Sequence, residues 1–227
     1  MDQSVLDALK RWPNVPAVYG WLSLSARGDW RLHPLGDAQT GGPGEGITNP
    51  QILGFMGRNY ASESNGKWFF QNGPQRVYVR LDAAPYIVHI EPETADLVTH
   101  NGRIIQHVLA WFTDEMGQMY AQTDVGAVRI DDRDLIALAQ VLETPDGLNF
   151  LDALEQDTLE HNPLEQDTIQ NSSTHDKTRS HLFSDPSGLY RALSTPVPCY
   201  RISHEALADR LGFVNNPQAA TISQQVS

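Results

Sequence analysis

Arg76, Tyr78 and Arg80 recur at every second position of the segment RVYVRL, residues 76 to 81. Successive side chains of an extended strand point to opposite faces, so these three share one face while Val77, Val79 and Leu81 share the other. Guanidinium forks match carboxylate and phosphate oxygens, and a phenol ring adds a stacking surface. The stripe therefore reads as a site for an anion or an acidic peptide, and Arg58 and Lys67 are expected to join it. The competing reading is a solvated sheet face whose arginines pair with local acids.

Other candidates carry less. His89 and His107, with Glu91 two residues beyond His89, would supply metal ligands only if their strands were neighbours, since zinc needs imidazole nitrogens within about 2.1 Å. Ordinary strand histidines are the simpler reading, so no metal and no cofactor is assigned. Asp131, Asp132 and Asp134 would suit Mg²⁺, but a carboxylate at the start of the helix that follows is favoured by hydrogen bonding and by the helix dipole, so Asp131 or Asp132 is read as a cap. The run GGPGEG precedes a helix yet lacks the Gly-Lys-Ser/Thr of a phosphate loop. His204-Glu205 begins a zinc-protease pattern that fails because position 208 is Ala. Cys199, with nothing nearby to lower its pKa, reads as a small buried hydrophobe.

The elements that must hold the arginine stripe follow from periodicity. Val5, Leu6, Leu9 and Trp12 have helical spacing, with Asp2 as expected N-cap. Alternation then places Val18, Gly20, Leu22 and Leu24 on one face of a strand and Tyr19, Trp21 and Ser23 on the other, and residues 29 to 33 return as its partner. Residues 36 to 46 contain five glycines and read as a mobile loop. Asn49 followed by Pro50 starts a second helix, because Pro at the first helical position has no N–H to lose. The stripe itself belongs to a hairpin: WFFQN and RVYVRL flank a turn at Asn72-Gly73-Pro74. Residues 86 to 91, 104 to 112, 118 to 122 and 126 to 130 add strands with short connections. That pattern predicts an α+β fold with a curled antiparallel sheet of seven or eight short strands and packed helices.

Composition bounds the function. The chain of 227 residues has 40% hydrophobic residues, a single cysteine and a formal charge of −12. One cysteine leaves no intrachain disulfide, and the acidic balance argues against non-specific binding to nucleic acid or anionic lipid. No apolar run approaches the roughly 20 residues of a bilayer span, and the first residues lack a secretory pattern, so a cytoplasmic protein is expected. Residues 143 to 170 hold eight Asp or Glu and no Lys or Arg, and LEQDTLEHNP is followed directly by the near-copy LEQDTIQNSS. This stretch reads as a solvated acidic linker that competes for the arginine stripe until a partner displaces it. A helix over 204 to 211 resembles the opening of a helix-turn-helix, but the tail has too few basic residues to hold DNA phosphates.

The segments RWPNVPAVYGWLSLSARGDWRL and ITNPQILGFMGRNYASESNGKWFFQNGPQRVYVRLDAAPYIVHI resemble an uncharacterised proteobacterial family known only as a domain of unknown function. The resemblance covers about residues 11 to 140 and implies a bacterial origin and no activity. The expected organisation is therefore a core domain over 1 to 143, an acidic disordered linker over 144 to 195 and a short helical element over 196 to 227. The expected function is a non-catalytic binding or regulatory module with a protein or an anionic ligand as partner. The alternative is a small-molecule enzyme whose groups meet near Tyr78, His89 and His107.

Overall fold

The computed structural model of the chain describes residues 1–155 and 181–219. They form two compact units, the first built from residues 1–84 together with 212–219 and the second from residues 85–211. The fold is α+β as expected, with five helices and thirteen strands among the described residues, the strands divided between a six-stranded and a seven-stranded sheet.

In the first unit, α1 (Gln3–Arg11) buries Val5. Asp2 precedes it but caps nothing: its carboxylate accepts instead from Arg58 Nε and Nη2 at 3.0–3.2 Å. In α2 (Pro50–Arg58) the Asn49 side chain accepts from the N–H groups of Gln51 and Ile52 at 2.9 and 3.3 Å, the cap that Asn-Pro promises. The strands are β1 (Val18–Leu24), β2 (Trp30–Leu32), β3 (Glu45–Gly46), β4 (Tyr60–Ser62), β5 (Trp68–Asn72) and β6 (Gln75–Leu81), in the spatial order β3-β2-β1-β6-β5-β4. β1 and β6, the two central strands, run parallel, with Val18 opposite Val77, Leu22 opposite Val79 and Ser23 opposite Arg80. A bulge lies between Val18 and Leu22.

Residues opposite one another in register share a face. Leu22, Leu24, Trp30, Phe70, Val77, Val79 and Leu81 therefore line one side, all of them buried. Phe55 of α2 meets Phe70 there edge to face, with ring centroids 5.6 Å apart. Phe69, Tyr78, Arg76, Ser23 and Arg80 take the other side. The two phenylalanines of the hairpin are thus both buried, on opposite faces of one sheet. Residues 212–219 close this unit: Val214 N–H donates to Gly66 O at 3.0 Å and Leu81 N–H to Asn215 O at 2.7 Å.

The second unit contains β7 (Tyr86–Ile90), β8 (Leu97–Thr99), β9 (Val108–Thr113), β10 (Met119–Thr123), β11 (Gly126–Ile130), α3 (Leu135–Val141), α4 (Phe150–Glu155), β12 (Leu182–Phe183), β13 (Val197–Arg201) and α5 (His204–Leu211). Its sheet has the order β12-β13-β9-β10-β11-β7-β8, in which β7 runs parallel to β11 and β13 parallel to β9. Trp111, Tyr86, Tyr120, Phe150 and Phe183 are its large buried side chains. Cys199 is buried and its thiol is pushed upward by that burial, so it is a packing residue here. α3 begins after Asp134 with no side-chain cap; the Asp131 carboxylate holds the Arg133 N–H and guanidinium instead, and Asp134 accepts from Ile90 N–H at 3.0 Å.

One expectation needs correction. The strands form two sheets, not one, and each sheet is mixed: parallel neighbours arise between strands distant in sequence, which needs no intervening helix. Among the described residues the strands from β7 onward pair only with one another, and residues 1–84 with 212–219 form one compact unit and residues 85–211 the other. The stretch expected as a linker, 144–195, contains α4, β12 and a short 3₁₀ turn over Arg191–Leu193 among its described residues. Phe150, Ala153, Phe183, Tyr190 and Leu193 are buried there. The rest of that linker, residues 156–180, lies outside the described residues, as does the tail from 220. No helix of the described residues is long and apolar enough to cross a membrane, and no second helix follows α5 among them.

Phe70→Ala should cost about 3–5 kcal/mol of stability, as expected for a buried aromatic lost from a tight core, with Phe69→Ala in the same range. Chemical denaturation of the two variants measures this directly; a midpoint unchanged from the parent would contradict the packing described.

Candidate functional site

Arg76 and Tyr78 come together on a residue the sequence did not single out, Glu63, and Lys67 stands beside Tyr78. β5 and β6 pair with Phe69 opposite Tyr78 and Gln71 opposite Arg76, which fixes Arg76 and Tyr78 on one face. Glu63 follows β4 and opens the turn into β5, its N–H donating to Lys67 O at 2.9 Å and its carbonyl accepting from Gly66 N–H at 3.0 Å. That turn swings its carboxylate onto the same face. Glu63 Oε1 accepts from the Tyr78 hydroxyl at 2.8 Å and from Arg76 Nη1, while Oε2 accepts from Asn65 Nδ2 at 3.2 Å.

Aromatic rings frame the charges. The Arg76 guanidinium lies 4.0 Å from the centroid of Phe69, and Tyr19 of β1 stacks on Tyr78 at 4.4 Å with 12° between planes. Lys67 Nζ stands 6.0 Å from the Tyr78 ring centre and donates to Gln218 O at 3.2 Å. Tyr78 is only 7% exposed, although its position in the alternation placed it on a solvent face. Burial and the hydrogen bond to Glu63 push its hydroxyl up to about 12. Burial alone would raise the Glu63 carboxyl, but hydrogen bonds from Tyr78 and Asn65 and the charge of Arg76 outweigh it and hold that group below the ordinary carboxylate range.

The other two predicted residues lie elsewhere. Arg58 sits on α2 in its ion pair with Asp2. Arg80 shares the face of Tyr78 but turns to the glycine-rich loop: Nε donates to Asp82 at 2.8 Å and Nη1 to Ala38 O at 2.6 Å. The loop, read from sequence as mobile, is turned and tied down by these bonds. It covers a second cluster that the sequence did not reveal, Ser23, His33 and Asp37. The available signal was small: a His and an Asp four residues apart just after a strand, facing the polar side of a neighbouring strand.

The two histidines proposed for the alternative site do not meet. His89 lies on β7 and His107 immediately before β9, and two strands, β11 and β10, separate β7 from β9 in the sheet. At about 4.8 Å per strand the separation is roughly 14 Å, too far for a shared ion or a direct proton relay. His89 is instead a neighbour of His100 in the β7–β8 corner, where burial drives the His100 imidazole down to about 3 and keeps it neutral. Among the described residues no group of three or more His, Cys, Asp or Glu could hold a metal ion.

The Tyr78 hydroxyl is protonated in folded and unfolded chains alike below pH 10, so what its bond to Glu63 contributes is fully present there. Because the folded value is raised to about 12, that contribution is lost as pH climbs from 10 through 12. Tyr78→Phe should lower stability below pH 10 and flatten its decline above pH 10. Denaturant midpoints collected on either side of that value for both proteins check the sign.

Comparison with known proteins adds a family and no activity. No curated protein matches the chain. A crystal structure of a DUF1285 family protein from Silicibacter pomeroyi DSS-3 is similar to it at a TM-score of 0.44 and 16% identity, over 63% of this chain and 87% of that one. A family model spans residues 1–218, nearly the whole length, including both compact units and the return segment. The chain belongs to the family described as protein of unknown function (DUF2946).

Proposed function

We propose that the chain carries a recognition site that binds an acidic segment of a partner protein at Arg76, Tyr78 and Lys67. The observation that carries this reading is the seat of Glu63, a carboxylate held by a guanidinium and a phenol hydroxyl above an aromatic floor. The chemistry that holds Glu63 would hold an Asp or Glu of another chain equally well, and the half-buried ring of Tyr19, stacked on Tyr78, offers an aromatic surface for the adjoining peptide. Glu63 then acts as a resident competitor. It keeps Arg76 from standing unpaired when the site is empty, and the incoming acid must displace it.

Affinity for carboxylates should be moderate, salt-dependent and set by that competition. The experiment is titration of the full chain with a synthetic oligoglutamate peptide followed by fluorescence anisotropy. Glu63→Gln removes the competitor while keeping a side chain of the same shape, so affinity should rise about tenfold, the equivalent of one displaced charge-assisted hydrogen bond. Arg76→Ala should abolish binding, and added salt should weaken it. Absence of measurable binding by the folded Glu63→Gln protein rejects the proposal.

A further inference from the structure

A hydrogen-bonded Ser–His–Asp relay lies on the same sheet face as the carboxylate seat but does not share its residues. Ser23 Oγ is 2.9 Å from His33 Nε2, and His33 Nδ1 is 3.1 Å from Asp37 Oδ1. The fold produces this arrangement from register. Ser23 stands opposite Arg31 on β2, so His33, two residues further on, is its diagonal neighbour and within reach of a long side chain. The chain then turns at Gly36, whose N–H donates to His33 O at 2.9 Å, and that turn brings Asp37 back to the far side of the imidazole. A carboxylate only accepts, so His33 Nδ1 is the donor to Asp37 and Nε2 of the neutral ring is left to accept from the Ser23 hydroxyl. This is the tautomer in which a histidine serves as general base to a serine.

Ser23 and His33 are both 0% exposed. The cover is the segment over residues 41–44. Gly44 has a φ of +63°, and a Cβ there would stand 2.7 Å from His33 Nε2; at Gly42 a Cβ would fall 2.3 Å from the Asp37 carboxyl carbon. Only glycine lets the backbone lie directly on the imidazole and the carboxylate. The cover is fastened by two arginines from outside it: Arg31 Nη1 donates to Pro43 O at 2.9 Å and Arg80 Nη1 to Gly42 O at 3.4 Å. Both bonds run from a side chain to a backbone carbonyl of the segment, so it can lift without breaking the strand-to-strand hydrogen bonds of the sheet beneath it.

We propose that Ser23 is an acyl-accepting nucleophile with His33 as its base, that its substrates are carboxylic esters, and that the segment over 41–44 is the cover that must lift to admit them while Asp37 stays in place. In the first half-reaction Ser23 Oγ adds to the ester carbonyl carbon while its proton passes to His33 Nε2. The bond from that carbon to the alkoxy oxygen breaks, and His33 returns the proton to the departing alcohol. In the second, His33 takes a proton from water, the hydroxide adds to the acyl carbon and the bond to Ser23 Oγ breaks, releasing the carboxylic acid as Ser23 recovers its proton. Asp37 orients the ring through Nδ1 and is a positioning residue.

The test is covalent labelling of the full chain with a fluorophosphonate, which phosphonylates a serine activated by a neighbouring base and loses fluoride. Peptide mass spectrometry locates the adduct. One adduct on Ser23 is expected, formed slowly in the parent and about tenfold faster in Arg80→Ala, which unfastens the cover. If Arg80→Ala does not fold, Arg31→Ala removes a different fastening, the bond to Pro43 O, and serves in its place. His33→Gln should abolish labelling while leaving binding at the Glu63 seat unchanged, which separates this proposal from the preceding one. The absence of a Ser23 adduct in both the parent and the loosened variant, with circular dichroism showing both folded, overturns the proposal. So does labelling of Ser23 that persists in His33→Gln, and equal rates in the parent and the loosened variant overturn the role of the loop as cover.

Discussion

The parallel pairing of β1 with β6 is the constraint on which the first unit depends. It places the first and last strands of that unit side by side at the centre of the sheet, with Leu22, Leu24, Val77, Val79 and Leu81 buried on one face. Fully burying side chains of this size contributes about 1.5–3 kcal/mol apiece. The register cannot slip by one residue without turning those side chains to the opposite face. That same register sets what the other face can do. Tyr19 lands on Tyr78 and Ser23 beside Arg80, so an apolar requirement on one side of the sheet dictates the polar neighbours on the other.

Much of the local structure was legible from residue types. The Asn49-Pro50 helix start, the two strands around Asn72-Gly73-Pro74 and the alternation along β6 all follow from rules that need only a few neighbouring residues. The pairing of strands was not. Val18 and Val77 are joined across most of the unit, and nothing local distinguishes the parallel partner of β1 from any other strand with valines on one face. The boundary at residue 84 is hidden for a similar reason: Ala83-Ala84-Pro85 shows no change of composition, and the division is made by which strands bond to which.

The functional residues show the same limit. Arg76 and Tyr78 were found because they share a strand, whereas Glu63 was missed because it reaches them from a turn that precedes the partner strand. Ser23 occupied an ordinary polar position in an alternating strand; its burial comes from the loop above it. Five glycines between residues 36 and 46 were read as a mark of mobility. At Gly42 and Gly44 they instead permit close approach, and composition alone does not separate those two uses of the residue.

The backbone departs from the first unit after residue 84 and comes back to it only at residue 212. During synthesis, Gly66 and Leu81 therefore wait for Val214 and Asn215 to leave the ribosome before their hydrogen bonds can close. At translation speeds of about 5–20 residues per second that delay is many seconds, far longer than the elementary steps of sheet formation. The second unit is thus positioned to mature as an insertion while its host is still open, and a fragment cut at residue 84 would lack the very stitches that finish the host.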